Sequence, residues 1–236
     1  MIKNILKIIA IFIISIVGGI FADQILCPYF IERPLFYKYR LEQAPTYINE
    51  TKEITIQENT ALQDAIGGVK NKVVGIRSKT KAGKTIEGSG LIVTNDGLVL
   101  TLESLSPQGA TEITIFLDGK KLTPKVLQRK NGLVLLKVDE NNLSPAAFAD
   151  FEKIKLGERV FLLGIILNKD QAGNIANEGI IRTFDEKNIQ TNISEKSIEG
   201  SPLFDIQGQL IGLNTLDKDG KVVAISIKII REFLGF

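Results

Sequence analysis

The sequence predicts an all-β body: two six-stranded antiparallel barrels, preceded by an N-terminal transmembrane helix and closed by a short C-terminal helix. Three observations carry this. Short apolar runs follow one another from Lys72 onward, broken by Gly, Asn, Asp and Pro, the pattern of strands joined by turns. Asn95-Asp96-Gly97, Asp118-Gly119 and Asp205-Ile206-Gln207-Gly208 are strong hairpin signals between such runs, because these residues tolerate the positive φ of tight turns. The runs also fall into two sets of six around an irregular connector, 139–156. Six strands left open would expose pairing edges, and closing each set into a barrel removes them.

The elements follow in chain order. Residues 8–22, IIAIFIISIVGGIFA, are 15 uncharged positions, or 19 counted from Asn4 if the Lys7 ammonium snorkels. That approaches the ~20 apolar residues needed to cross a bilayer. A cleaved signal peptide needs small residues at the last and third-last positions before the cut, and Ile20-Phe21-Ala22 supplies only the last. Residues 1–23 are therefore expected to be a retained anchor. Lys3 and Lys7 place the N-terminus in the cytoplasm and the body on the periplasmic or extracellular side of a cell membrane crossed once. Residues 24–58, aromatic and then polar, read as a juxtamembrane connector. A short helix is expected near 59–70, opening the double-barrel domain, 59–236. The first barrel, about 72–138, takes runs starting at Lys72, Gly90, Leu98, Glu112, Leu122 and Leu133. The second, about 157–227, takes runs starting at Arg159, Glu178, Asn188, Ser201, Gln209 and Lys221. The end, IKIIREFLGF from Ile227, has apolar residues at helical spacing.

Composition excludes several chemistries. The 236 residues include no histidine and a single cysteine, Cys27. A Ser-His-Asp triad, a Cys-His dyad, a histidine metal site and an intrachain disulfide cannot form. No metal or other cofactor is expected. Lys3 and Lys7 account for the net charge of +2, so the rest of the chain is neutral, which argues against nucleic acid as a partner. Gly88-Ser89-Gly90 lacks the Lys-Ser/Thr and helix of a phosphate loop and reads as a bulge or barrel corner.

The order of segments GSGLIVTNDGLVLT, EITIFLDGKKLTPKVL, LVLLKV, KLGERVFLLG, NEGIIRT, IQTN and GSPLFDIQGQLIGLNT resembles the trypsin-like protease domain of the HtrA/Deg family, from about Lys72 to Phe236. The resemblance implies two orthogonal barrels with the active site between them. It leaves no stretch of this chain for the family's C-terminal PDZ module.

Carried over position by position, the family's catalytic residues are missing. Ser104 stands where the family has its histidine, Gly132 where it has the orienting aspartate, and Glu199 where it has the nucleophilic serine. Ser197 takes the place of the glycine that helps form the oxyanion hole. A serine hydroxyl needs a neighbouring base to attack at neutral pH, and the triad-equivalent positions supply no imidazole. The Glu199 carboxylate is expected to fill the oxyanion hole by accepting backbone N–H bonds. The resemblance thus implies a catalytically inactive pseudoprotease. Its expected partners are the membrane and an extended peptide or protein, bound as an added strand through Ser197, Gly200, Asn214 and Thr215. A homo-oligomer or association with an active homologue is also compatible. The alternatives are an active serine endopeptidase with an unfamiliar base, and a structural component of a membrane-associated assembly.

Overall fold

The computed structural model describes residues 2–26, 58–168, 171–195 and 199–235. It divides into two units, Met1–Ile56 and Gln57–Phe236. In the first, helix α1 (Ile2–Phe21) continues through a π-helical turn to Leu26. Lys3–Ile25 is long and apolar enough to cross a membrane, with mean hydropathy 2.7; a signal sequence meets the same criterion. Most of the expected connector, residues 27–57, lies outside the described residues.

The second unit opens with helix α2 (Glu58–Val69), which packs Leu62, Ala65, Ile66 and Val69 onto the main core. Seven strands follow: β1 (Val73–Lys79), β2 (Thr85–Ile92), β3 (Leu98–Leu102), β4 (Glu112–Leu117), β5 (Lys120–Leu122), β6 (Lys125–Lys130) and β7 (Leu133–Lys137). They form one antiparallel sheet in the order β5-β4-β1-β2-β3-β7-β6. Both faces are apolar. Val74, Ile76, Ile92, Val99, Ile115, Val134 and Leu136 fill the inside of this barrel, while Leu91, Leu100, Leu102, Leu133 and Leu135 join the core of the next. Side chains alternate faces along a strand, so a sheet buried on both sides reads as continuous runs such as LVLTL and LVLLK.

This first sheet does not close. Leu122 to Gln128 was expected as one strand, but Pro124 divides it into β5 and β6, which do not pair with each other. Proline has no N–H to give to a ladder. Strand β2 starts at Thr85, five residues before the apolar run at Gly90, because its first half is polar and pairs with β1 in hairpin register, Lys79↔Thr85 to Val73↔Leu91.

The second set comprises β8 (Ala147–Phe148), β9 (Arg159–Asn168), β10 (Gln171–Phe184), β11 (Asn188–Thr191), β12 (Pro202–Asp205), β13 (Gln209–Leu216) and β14 (Val222–Ser226). Here the ladder runs β12-β9-β10-β11-β14-β13 and returns through β12–β13, closing a six-stranded barrel; β8 adds to β13 in parallel. β10 is twice as long as the expected run from Glu178, because its first half, QAGNIANE, pairs fully with β9 yet is mostly exposed and carries no apolar signal. Helix α3 (Ile227–Leu234) is capped by the Ser226 hydroxyl, which accepts from the Lys228 N–H at 3.3 Å, and ends at Gly235 in the left-handed conformation; it buries Ile227, Ile230 and Phe233.

Candidate functional site in the cleft between the barrels

The two barrels meet through β2 and β9, and Ser89 joins them. Its buried hydroxyl accepts the Ile165 N–H of β9 at 2.8 Å, and its own N–H donates to the Glu199 carbonyl at 3.0 Å. Its carbonyl accepts the Thr101 hydroxyl at 2.9 Å. The glycines around it are required by close approach. A Cβ on Gly88 would lie 2.5 Å from the Glu199 carbonyl, and one on Gly200, at φ +77°, would lie 2.4 Å from the Ser89 carbonyl. Gly88-Ser89-Gly90 therefore lies in a regularly paired strand against which the segment at Glu199 packs, in place of the bulge or corner expected from sequence.

Ser104 sits in the turn after β3. Leu105 is buried beneath it and contacts the space above Gly88 and Gly200. The turn is held from three sides. The Ser78 hydroxyl donates to the Leu105 carbonyl, the Arg129 guanidinium donates to the Ser106 carbonyl and hydroxyl, and the Glu103 N–H donates to the Gly132 carbonyl at 2.8 Å. Gly132 itself is in the β6–β7 hairpin turn, where Asn131 (φ +55°) and Gly132 (φ +76°) supply the two positive φ angles of a mirror-image turn.

Across the cleft from this turn stands Glu199. The Ser104 Oγ donates to Glu199 Oε1 at 2.8 Å, a contact between residues 95 positions apart. The structure thus brings Ser104, Gly132 and Glu199 to one place: Gly132 by its carbonyl, Ser104 and Glu199 by their side chains. Among the described residues the Glu199 carboxylate takes the Ser104 hydroxyl and no backbone N–H. The backbone N–H groups at 196–198, next to which an oxyanion hole was expected, lie outside the described residues, as does Ser197.

The peptide-binding candidates divide. Gly200 is buried, and its N–H donates to the Asn214 carbonyl at 2.8 Å. Asn214 is also buried; its N–H and its side-chain amide both donate to the Ser201 carbonyl, each at 2.9 Å. Gly200 and Asn214 therefore use these groups to hold β12 to β13. Thr215, opposite Val223, directs its backbone toward β14, because Asn214 faces the other way and successive strand residues alternate. The same alternation turns the N–H and C=O of Leu216 to the side where β12 has ended. Among the described residues no strand pairs with that edge. Leu216 was not among the residues singled out from sequence; counting parity outward from Asn214 marks it as the one with unpaired backbone groups.

Beside this edge is a cleft of about 670 Å³, lined by Thr191 to Ser194 ahead of Glu199 and by Asp217, Asp219 and Lys221 after Leu216. The described residues contain no cluster of three or more His, Cys, Asp or Glu side chains able to hold a metal ion.

A closed six-stranded barrel beside an open half-barrel, with the turn after β3 meeting the segment before β12 through Ser104 and Glu199, defines a trypsin-like fold. A family model of the trypsin-like peptidase domain matches residues 88–213, and the chain belongs to that family. Within it the similarity is to the HtrA/Deg type. The chain is 32% identical over 117 residues, 46% of its length, to a "Probable periplasmic serine endoprotease DegP-like" of Halomonas elongata. It is 27% identical over 153 residues, 60% of its length, to a protein of the same description from Rhizobium meliloti. It covers only 25% and 30% of those relatives. A solved structure titled "HtrA-type protease AlgW with tripeptide" superposes with a TM-score of 0.65 at 23% identity, covering 74% of this chain and 62% of the other; at that identity the likeness is one of fold.

Proposed function

We propose that this protein is a catalytically inactive, membrane-anchored pseudoprotease that holds an extended peptide or an unfolded protein segment on the extracytoplasmic side. The observation that carries the reading is the Ser104–Glu199 hydrogen bond in a chain without histidine. At the three triad-equivalent positions stand a hydroxyl, a carboxylate and a glycine, with no imidazole among them. A carboxylate at the nucleophile position would also repel the oxyanion of a tetrahedral intermediate. The binding half of the proposal rests on the free β13 edge at Leu216, where an added strand gains main-chain hydrogen bonds without any catalytic group. The periplasmic descriptions of the relatives and the helix Lys3–Ile25 support the location. Self-association and pairing with an active homologue belong to the same proposal, and light scattering on the purified full chain, alone and mixed with such a homologue, tests them.

The binding half is tested by fluorescence anisotropy of labelled unstructured peptides with the full chain in detergent. Binding is expected, and Leu216→Pro, which removes the N–H on the free edge, should weaken it tenfold or more, the loss of about 1.4 kcal/mol or one main-chain hydrogen bond. Equal affinity in the variant would overturn the edge as the site. A second reading has its own observation: Ser104 already donates to a carboxylate, so it could act as nucleophile with Glu199 as base. Labelling by a serine-directed fluorophosphonate that disappears in Ser104→Ala would establish it.

A further inference from the structure

Charge is divided unequally between the barrels. Residues 72–138 carry eleven basic and five acidic side chains, residues 139–236 eleven and fifteen. The excess of the first barrel is concentrated at the open edge left by Pro124. From β5 through β6 the chain reads KKLTPKVLQRK, five basic residues and no acidic one. Lys120 pairs with Glu140 at 2.8 Å, the Lys121 ammonium lies 5.9 Å from the centre of the Phe116 ring, and Arg129 turns inward to Ser106. Lys125 and Lys130 remain exposed at the two ends of β6. Between them Val126 and Leu127 are 40% and 56% exposed. The β6–β7 register shifts between Val126 and Gln128, leaving Leu127 as the extra residue of a bulge.

This edge is poorly made for another strand. Lysines and a bulge are the devices that keep exposed edges from pairing, and Lys125 already faces Lys137 across the ladder. It is well made for an anionic bilayer: ammonium groups attract lipid phosphates while a protruding aliphatic pair enters the headgroup boundary. The chain also supplies the bilayer. Residues 27–57 join the Lys3–Ile25 helix to the double-barrel unit, a tether that reaches at most about 100 Å at ~3.3 Å per residue, so a bilayer holding the helix is present at high effective concentration.

We propose that the β6 edge of the first barrel docks on the anionic phospholipid headgroups of the membrane that carries the N-terminal helix, with Lys125 and Lys130 as phosphate contacts and Leu127 as the inserted side chain. The inference rests on the anchoring reading above. The test uses the full chain reconstituted into nanodiscs of phosphatidylcholine alone or with ~30% phosphatidylglycerol, lysines being acetylated briefly with a water-soluble ester and read by mass spectrometry. Lys187 and Lys221, on the second barrel, serve as references. Labelling of Lys125 and Lys130 should slow about threefold or more in the anionic discs only, and recover at ~0.5 M salt, where the Debye length falls below ~5 Å. Leu127→Asp, which keeps both lysines on an exposed bulge, should abolish the protection. Equal labelling in both discs overturns the docking, and equal protection of Lys187 and Lys221 overturns its assignment to this edge. A chain that co-purifies with neither disc overturns the anchoring reading instead.

Discussion

The two barrels solve the same closure problem differently. The second returns on itself through β12–β13 and leaves only the end of β13 at Leu216 unpaired on one side; the first stops at Pro124 and leaves β5 and β6 as edges. Their turns differ as well. The first barrel uses two-residue turns with positive φ, Asp118-Gly119 and Asn131-Gly132. The second uses aspartates as local acceptors: Asp185 takes the N–H of Lys187 and Asn188, Asp205 those of Gln207 and Gln209, and Asp217 those of Asp219 and Lys221. The difference teaches where rigidity lies. The closed barrel carries Glu199 and the end of β13 on a ring stapled at the turns of Asp185, Asp205 and Asp217, whereas the open barrel contributes Ser104 on a turn that must be clamped by Ser78, Arg129 and Gly132.

The largest effect that would sharpen this comparison comes from the closed core. Phe161 and Phe204 are fully buried with ring centres 5.5 Å apart. Phe161→Ala should cost about 3–5 kcal/mol, measured by urea denaturation monitored by circular dichroism. Next is the seam. Ser89→Ala strands the buried Ile165 N–H and should cost about 1–3 kcal/mol in the same measurement. If the barrels were held mainly by their apolar faces, the loss would be near zero.

Asp205→Ala should cost a comparable or slightly smaller ~1–2 kcal/mol, since it leaves the N–H groups of Gln207 and Gln209 without their acceptor. The second barrel's aspartates also differ in sign with pH. Burial pushes the Asp205 carboxyl above the usual aspartate range, against the pull of the amides of Gln209, Gln207 and Gly208. The folded state therefore holds that proton more tightly, and this group favours folding less as pH rises from the ordinary aspartate value to the raised one. Asp185 is held below the usual range by the N–H groups of Asn188 and Lys187, so its contribution is present above the ordinary value and is lost as pH falls through the lowered one. Thermal melts of Asp205→Asn and Asp185→Asn between pH 3 and 6 should therefore depart from the parent in opposite directions. The smallest effect belongs to the open edge: Val126→Ala should change stability by less than about 0.5 kcal/mol. A loss of 2 kcal/mol or more would mean that β6 is part of the first barrel's core.

Much of this arrangement was legible in sequence, for definite reasons. Strands buried on one or both faces carry their own apolar signal, and Asn131-Gly132 and Asp205–Gly208 mark turns by chemistry that acts within four residues. The polar half of β10 was not legible, because strands paired at a solvent-facing hairpin need no apolar side chain. Nor was the split at Pro124 inside an otherwise strand-like run. At the site, Ser104, Gly132 and Glu199 were each singled out from sequence one by one. Their contact across 95 residues, and the burial of Asn214 that moves the free edge to Leu216, depend on how two barrels dock.

The most direct test of the account is the turnover of unfolded casein by the purified full chain in detergent between pH 5 and 9, beside Ser104→Ala and Glu199→Ala. The proposed inactivity, with only a hydroxyl, a carboxylate and a glycine at Ser104, Glu199 and Gly132, predicts hydrolysis indistinguishable from buffer for all three proteins. Cleavage by the parent chain that vanishes in either variant would contradict it.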